Sequence, residues 1–250
     1  MTDFNQYSAD KKKKSFVFEE HSAKYVDSIF SEIKLHSFDL SYSKFYNCEF
    51  HNCSFEFGNL ISTTFENCKF RNVVFDKCSL SNSVLTEVEF ISGNFLFCGM
   101  DRLKMKDSIF LKAKITNSDF SYSEIRNCNL SNNKIMLSIF DETLLENVDF
   151  FKLFLIDCIT RKVVLENPKN LMWTREFISA LLHQHSEGLM KREQIAELVK
   201  FKKSMCWDAW QRFADDEEPM LVDWVKTSFS LYPESKLIEA LNNEISFIEN

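Results

Sequence analysis

From Phe30 to Leu155, every fifth residue of this chain is large and apolar. The series opens Phe30, Leu35, Leu40, Phe45, Phe50, Phe55, Leu60, Phe65 and runs on without a miss to Phe150 and Leu155. A helix repeats every 3.6 residues and a strand every two, so neither alone keeps such a series on one side. A second register lies two residues earlier: Ser43, Cys48, Cys53, Gly58, Thr63, Cys68 and Val73, mostly small. Residues two apart on an extended chain face the same way. The next inward residue is three further on, so the chain must bend between them. Each five-residue unit is a short extended side followed by a corner, and repeated corners wind the chain into a coil.

Stacked residues should resemble one another, and spacing 20 brings out that likeness. Positions 30, 50, 70, 90, 110, 130 and 150 are Phe at all but Leu130. Four sides per turn are therefore expected. The coil is expected over residues 28–160, a rod roughly 30 Å long at ~4.8 Å per coil. Asn recurs two places after the central residue, as at Asn47, Asn52, Asn67, Asn72, Asn127 and Asn147. Asn tolerates turn geometry, so these are read as corners, with ladders of stacked Asn along the rod.

Units such as Cys48-Glu49-Phe50-His51-Asn52 and Ser118-Asp119-Phe120-Ser121-Tyr122 carry a small residue, then an acidic one, then Phe. They resemble the pentapeptide-repeat family. The resemblance implies a mainly β fold, a right-handed quadrilateral β-helix. One departure is that Cys, Ser or Val often replaces the family's usual Ala.

The stretch FYNCEFHNCSFEF, residues 45–57, looks at first like a metal site, with His51 between Cys48 and Cys53. Seven of the eight cysteines, however, fall in the small inward register: Cys48, Cys53, Cys68, Cys78, Cys98, Cys128 and Cys158. Free cysteine is small and readily buried, so core packing is expected. Cys48 and Cys68 should stack one coil apart, and His51 should face outward. No metal and no cofactor is expected. There is no Gly-rich phosphate loop and no paired acid/base constellation, so no catalytic residue is assigned and the chain is read as a non-enzyme.

Outward positions carry the functional expectation. Phe57, Leu96, Phe97, Met136, Leu137, Phe154 and Ile156 point outward on one face, and Ile91 and Leu111, with Phe151, on the adjoining one. A contiguous apolar patch marks an interface. Its occupant is either this chain's own helical tail or a separate protein.

After Asn167-Pro168 the period of five stops. Residues 168–250 are expected to form a small α-helical domain, and residues 1–27 an N-terminal cap. The clearest amphipathic stripe is Ile195, Leu198, Val199, Met205, Cys206, Ala209, Trp210 and Phe213. His183-Gln184-His185 with Glu187 lacks a shared helix face and is not read as a metal cluster.

Net charge is −7. The one basic run, Lys11–Lys14, reads as a solvated tail, so no direct nucleic-acid partner is expected. No stretch reaches the ~20 apolar residues that span a bilayer, so no membrane is expected. No leader is visible, and a reducing cytoplasm suits the cysteines. The expected function is a bacterial scaffold that binds a protein partner through rod and helical domain. A homodimer through a coil end or through the helical domain is also open. The family resemblance implies a second reading, a DNA mimic that protects or inhibits DNA gyrase or topoisomerase IV. Residues 31–160 carry 17 acidic and 13 basic residues with no acidic stripe, which weighs against it. A third reading, an effector module similar to bacterial HECT-like ubiquitin ligases, would make Cys206 the nucleophile.

Overall fold

The structure is a computed structural model. It describes residues 21–156, 158–160 and 162–170, and beyond them only residues 179, 183, 186, 188, 190 and 193. The chain forms a mainly β solenoid of the right-handed type with about seven turns. Three-residue strands stack in parallel at spacing 20. One face runs Lys24–Val26, Lys44–Tyr46, Thr64–Glu66, Val84–Thr86, Lys104–Lys106, Glu124–Arg126 and Leu144–Glu146. Val164–Glu166 follows, with Glu166 accepting from the Asn147 N–H at 2.8 Å. A second face runs from Ile29–Ser31 to Ile109–Leu111 and continues as single bridges through Asn129, Asp149 and Lys169. The third runs from Lys34–His36 to Phe154–Ile156, and the fourth is made of bridges alone, Asp39 through Ile159. The coil therefore includes Tyr25 before the expected start and Lys169 past the expected end.

The five-residue unit explains this shape. The central residue and the one two before it point inward; Phe65, Phe70, Phe75, Phe90 and Phe95 are each 2 % exposed or less. Every described corner has a positive φ, from 47° at Asn167 to 64° at Ser22. That left-handed region costs most residues roughly 1–2 kcal/mol, with Asn among the most tolerant. The bend is offset by the ladder. The residue before the centre donates to the coil below, as Thr64 N–H to Ser43 C=O at 2.9 Å. The corner donates to the coil above, as Asn47 N–H to Glu66 C=O at 3.0 Å.

Rings fill the axis at the strand spacing. Phe30, Phe50, Phe70, Phe90 and Phe110 stack with centroids 4.5–4.7 Å apart, close to the ~4.8 Å between strands. Neighbouring columns meet edge to face, as Phe65 with Phe70 at 5.3 Å. After Phe110 these columns pass to Ile115, Ile125, Leu130 and Ile135, while on the fourth face Phe120 stacks on Phe140 at 4.8 Å.

The small register does more than fill space. Where it is Ser or Asn, its oxygen accepts the amide one coil below: Cys98 N–H to Ser118 Oγ at 3.2 Å, Ala113 N–H to Asn133 Oδ1 at 2.7 Å. The same register donates to carbonyls, as Ser118 Oγ to Thr116 C=O at 3.2 Å and Cys98 Sγ to Phe75 C=O at 3.4 Å. Alanine could do neither. The core packing expected of the thiols is borne out, with a hydrogen bond from sulfur to a carbonyl added; where the register is Ser or Asn, an amide that the ladder does not use also finds its partner here. One ring enters the small register. Phe38 is a ring where a small residue belongs, and Gly58, one coil above, makes room for it.

Ser179, His183, Met190 and Glu193 are helical. The expected helical domain, the N-terminal cap, Lys11–Lys14 and Cys206 otherwise lie outside the described residues.

Candidate interaction surface

The stretch that resembles a metal site is scaffold. Cys48 and Cys53 are 0 % and 1 % exposed, and His51 turns outward with its Nε2 2.9 Å from Glu49 Oε2. Among the described residues no cluster of His, Cys, Asp and Glu could hold a metal. All seven described cysteines are buried and outside any disulfide. Burial pushes the thiols of Cys78 and Cys128 up to about 12 and that of Cys98 to about 11. Cys68, hydrogen-bonded to Cys48 and buried, is raised further. None of these four is poised as a nucleophile.

The corners are chemically unequal. Between the first and second faces, Asn67 donates to Asn47 and Asn47 to Asp27, each at 2.9 Å, and Asn147 to Asn127 and Asn127 to Asp107, each at 3.0 Å. This is the expected ladder. The corner between the third and fourth faces reads Ser37, Phe57, Lys77, Phe97, Asn117, Leu137. Phe57, Phe97 and Leu137 hold φ of 53°, 54° and 52° and are about half exposed. Bulky apolar side chains thus occupy positions where Asn would be less strained and better solvated. Strain retained against both preferences points to function.

The third face adds the rest. Register places Leu96, Thr116, Met136 and Ile156 in one column. Beside it run Asn94, Lys114, Lys134 and Phe154. Ile91 pairs with Leu111 at the end of the second face. Ile91, Leu96, Leu111 and Met136 are half-buried and lie against the sheet, whereas Phe154 and Ile156 are exposed. Eight of the nine expected surface residues therefore come together along the coils from Ile91 to Ile156. Phe57 stands apart. It lies 5.1 Å from the His36 ring with the Lys77 Nζ 4.6 Å over its own, beside a column that reads His36, Glu56, Asp76.

Sequence reasoning passed over the lysines of this face. Lys112, Lys114, Lys134 and Lys152 are exposed between the apolar columns, and the described segments 91–97, 111–117, 131–137 and 151–156 hold no Asp or Glu. Tabulating outward residues at spacing 20 would have exposed the cluster. It also passed over Thr116, whose Oγ1 is buried between Leu96 and Met136. This is the single buried side-chain polar atom without a hydrogen-bond partner among the described residues.

The family model described as Pentapeptide repeats (8 copies) matches residues 65–96. No curated protein matches the sequence. Among solved structures the chain is similar to QnrB1, a plasmid-mediated fluoroquinolone resistance protein. Identity is 16 %, covering 62 % of this chain and 86 % of that one, with a TM-score of 0.29. It is also similar to HetL, involved in heterocyst differentiation regulation in Nostoc sp. strain PCC 7120. Identity is 10 %, covering 65 % and 94 %, with a TM-score of 0.24. A third is the pentapeptide-repeat protein Rfr23 of Cyanothece 51142, at 12 % identity, covering 61 % and 87 %, with a TM-score of 0.20. Residues 65–96 thus match the pentapeptide-repeat model, and the same five-residue period and four stacked faces run through the described solenoid on either side of them.

Proposed function

We propose that the chain is a non-enzymatic interaction protein of a reducing cytoplasm, binding a protein partner through the outer surface of its solenoid. The observation that carries this is the corner column Phe57, Phe97 and Leu137. These side chains are exposed where the backbone disfavours them, while another corner of the same rod uses hydrogen-bonded Asn. Repeat rods bind through extended surfaces of this kind. Burial of all seven described cysteines outside any disulfide suits the reducing compartment and a non-catalytic role. A part for the helical domain and for the chain's own dimerisation rests on the sequence alone.

The DNA-mimic reading draws less support. A mimic needs a continuous acidic column, and the outer columns mix sign, as in Glu49, Lys69, Glu89 along the second face. The test is affinity capture from the native host, comparing the parent with Phe97→Glu/Leu137→Glu. The reading expects at least one protein to be lost from the variant at unchanged circular dichroism. A folded variant that keeps every partner sinks it.

A further inference from the structure

We infer that the third face, between Ile91 and Ile156, is a docking face for one acidic amphipathic helix of a partner protein. This rests on the interaction reading above and names the partner's chemistry.

Charge is the first argument. The whole chain carries −7, yet this face is basic and apolar. Lys112, Lys114, Lys134 and Lys152 are exposed on it. Lys112, Lys114 and Lys134 make no ion pair with any described residue, and Lys152 lies 5.2 Å over the ring of Phe151. The flanking acids are turned to the backbone: Asp119 Oδ1 accepts from Ser121 N–H at 2.8 Å and Asp149 Oδ1 from Phe151 N–H at 3.0 Å. The lower coils of the same face differ, because Glu32, Glu56 and Asp76 balance Lys34, Arg71 and Lys77 there. The positive surplus is therefore confined to the coils that also carry the apolar columns. A complementary partner brings carboxylates at its rim and apolar residues at its centre.

Dimensions are the second argument. A three-residue strand spans about 10 Å, and four coils stack to about 20 Å. A helix with side chains is about 10 Å across, and four turns are about 22 Å long. Phe97 and Leu137 lie two coils apart on one corner, about 10 Å. Residues seven apart on a helix are about 10.5 Å apart, so two of them meet Phe97 and Leu137 in turn. One helix fills the face.

Membrane anchoring needs an apolar face that enters ~5–10 Å as a whole, and here Phe97, Leu137, Phe154 and Ile156 project while Ile91, Leu96, Leu111 and Met136 stay half-buried against the sheet with lysines between them. Four lysines beside so much apolar surface are also a poor footprint for nucleic acid, which needs a dense basic stripe.

The test uses the full chain and a labelled synthetic helix of about 18 residues, about five turns, with leucines on one stripe and glutamates on both flanks. Fluorescence anisotropy should show saturable binding that weakens about tenfold in Lys114→Glu/Lys134→Glu. It should weaken similarly in Phe97→Asn/Leu137→Asn, and fall as salt rises from about 50 to about 500 mM. A peptide with its leucines scrambled, or with lysines for glutamates, should not bind. Absence of binding, equal binding by the scrambled peptide, or indifference to both double variants overturns the inference. Tighter association with phosphatidylserine vesicles than with the peptide overturns it in favour of a membrane. If host partners still depend on Phe97 and Leu137 while the acidic helix fails, only this inference falls. If neither depends on them, the interaction reading falls with it.

Discussion

Gly58→Ala adds one methyl group at a position where the backbone would accept it, and the structure predicts that the rod weakens. The added Cβ would stand 2.0 Å from Cζ of Phe38, 2.2 Å from Cε1 and 2.7 Å from Cε2. Carbon atoms settle near ~3.5 Å, so the ring must retreat by about 1.5 Å. It has little room: Phe38 is 3 % exposed and its ring tilts against Phe55 with centroids 5.7 Å apart. Overpacking of this kind costs about 1–3 kcal/mol. Opposing it, replacing Gly restricts the unfolded chain and returns about 0.4–1 kcal/mol, because Gly58 is not among the positive-φ residues. A net loss of about 1–2 kcal/mol follows. In a Phe38→Ala background the clash is gone, and Gly58→Ala should turn neutral or stabilising. The sign change is the signature, with a coupling of about 2 kcal/mol between the pair. Tryptophan fluorescence is the wrong probe, since all four tryptophans lie beyond residue 170. Amide hydrogen exchange at Leu40, Asn59 and Leu60, all ladder donors beside the pair, reads the right coils. Equal loss in both backgrounds, or no loss in either, would refute the steric argument.

Ser118→Ala orphans the Cys98 amide and should cost about 1–3 kcal/mol, whereas Ser118→Cys keeps an acceptor and stays within about 1 kcal/mol of the parent; chemical denaturation compares them. Thr116→Val removes the unpartnered Oγ1 and should raise stability by about 1 kcal/mol, read by the same assay. Phe97→Asn relieves strain at φ 54° and should leave stability within about 1 kcal/mol of the parent, while Phe95→Ala, 1 % exposed, loses about 3–5 kcal/mol. The thiols of Cys78, Cys98 and Cys128 are raised in the folded state, so their contribution is whole below the unfolded value near ~8.5 and is lost as pH climbs toward about 11–12. Stability should fall by about 1.4 kcal/mol per pH unit per thiol in that window. Denaturation midpoints at stepped pH should show the fall, and Cys98→Ser should lessen it.

The path of the chain was legible in the residues because a solenoid is local. Phe30, Phe50 and Phe70 meet at a sequence spacing of 20, so a period read in one dimension becomes a stack in three. The inward cysteines and the corner Asn residues were legible for the same reason: each position in a five-residue unit has one environment. Three things were not. The hydrogen-bonding duty of the small register depends on which amide the ladder leaves unused, and that follows only from strand register. Gly58 answers Phe38 across a coil, a fit set by ring position and not by either residue's own preference. The lysines between Ile91 and Ile156 lie up to 40 residues apart in the chain and become one charged face only when winding brings them side by side. Periodicity alone determined that this chain coils, with its large residues inside and its corners at every fifth residue. Tertiary structure decided which outward side chains are neighbours, because contact between coils depends on register and corner geometry that no single repeat contains.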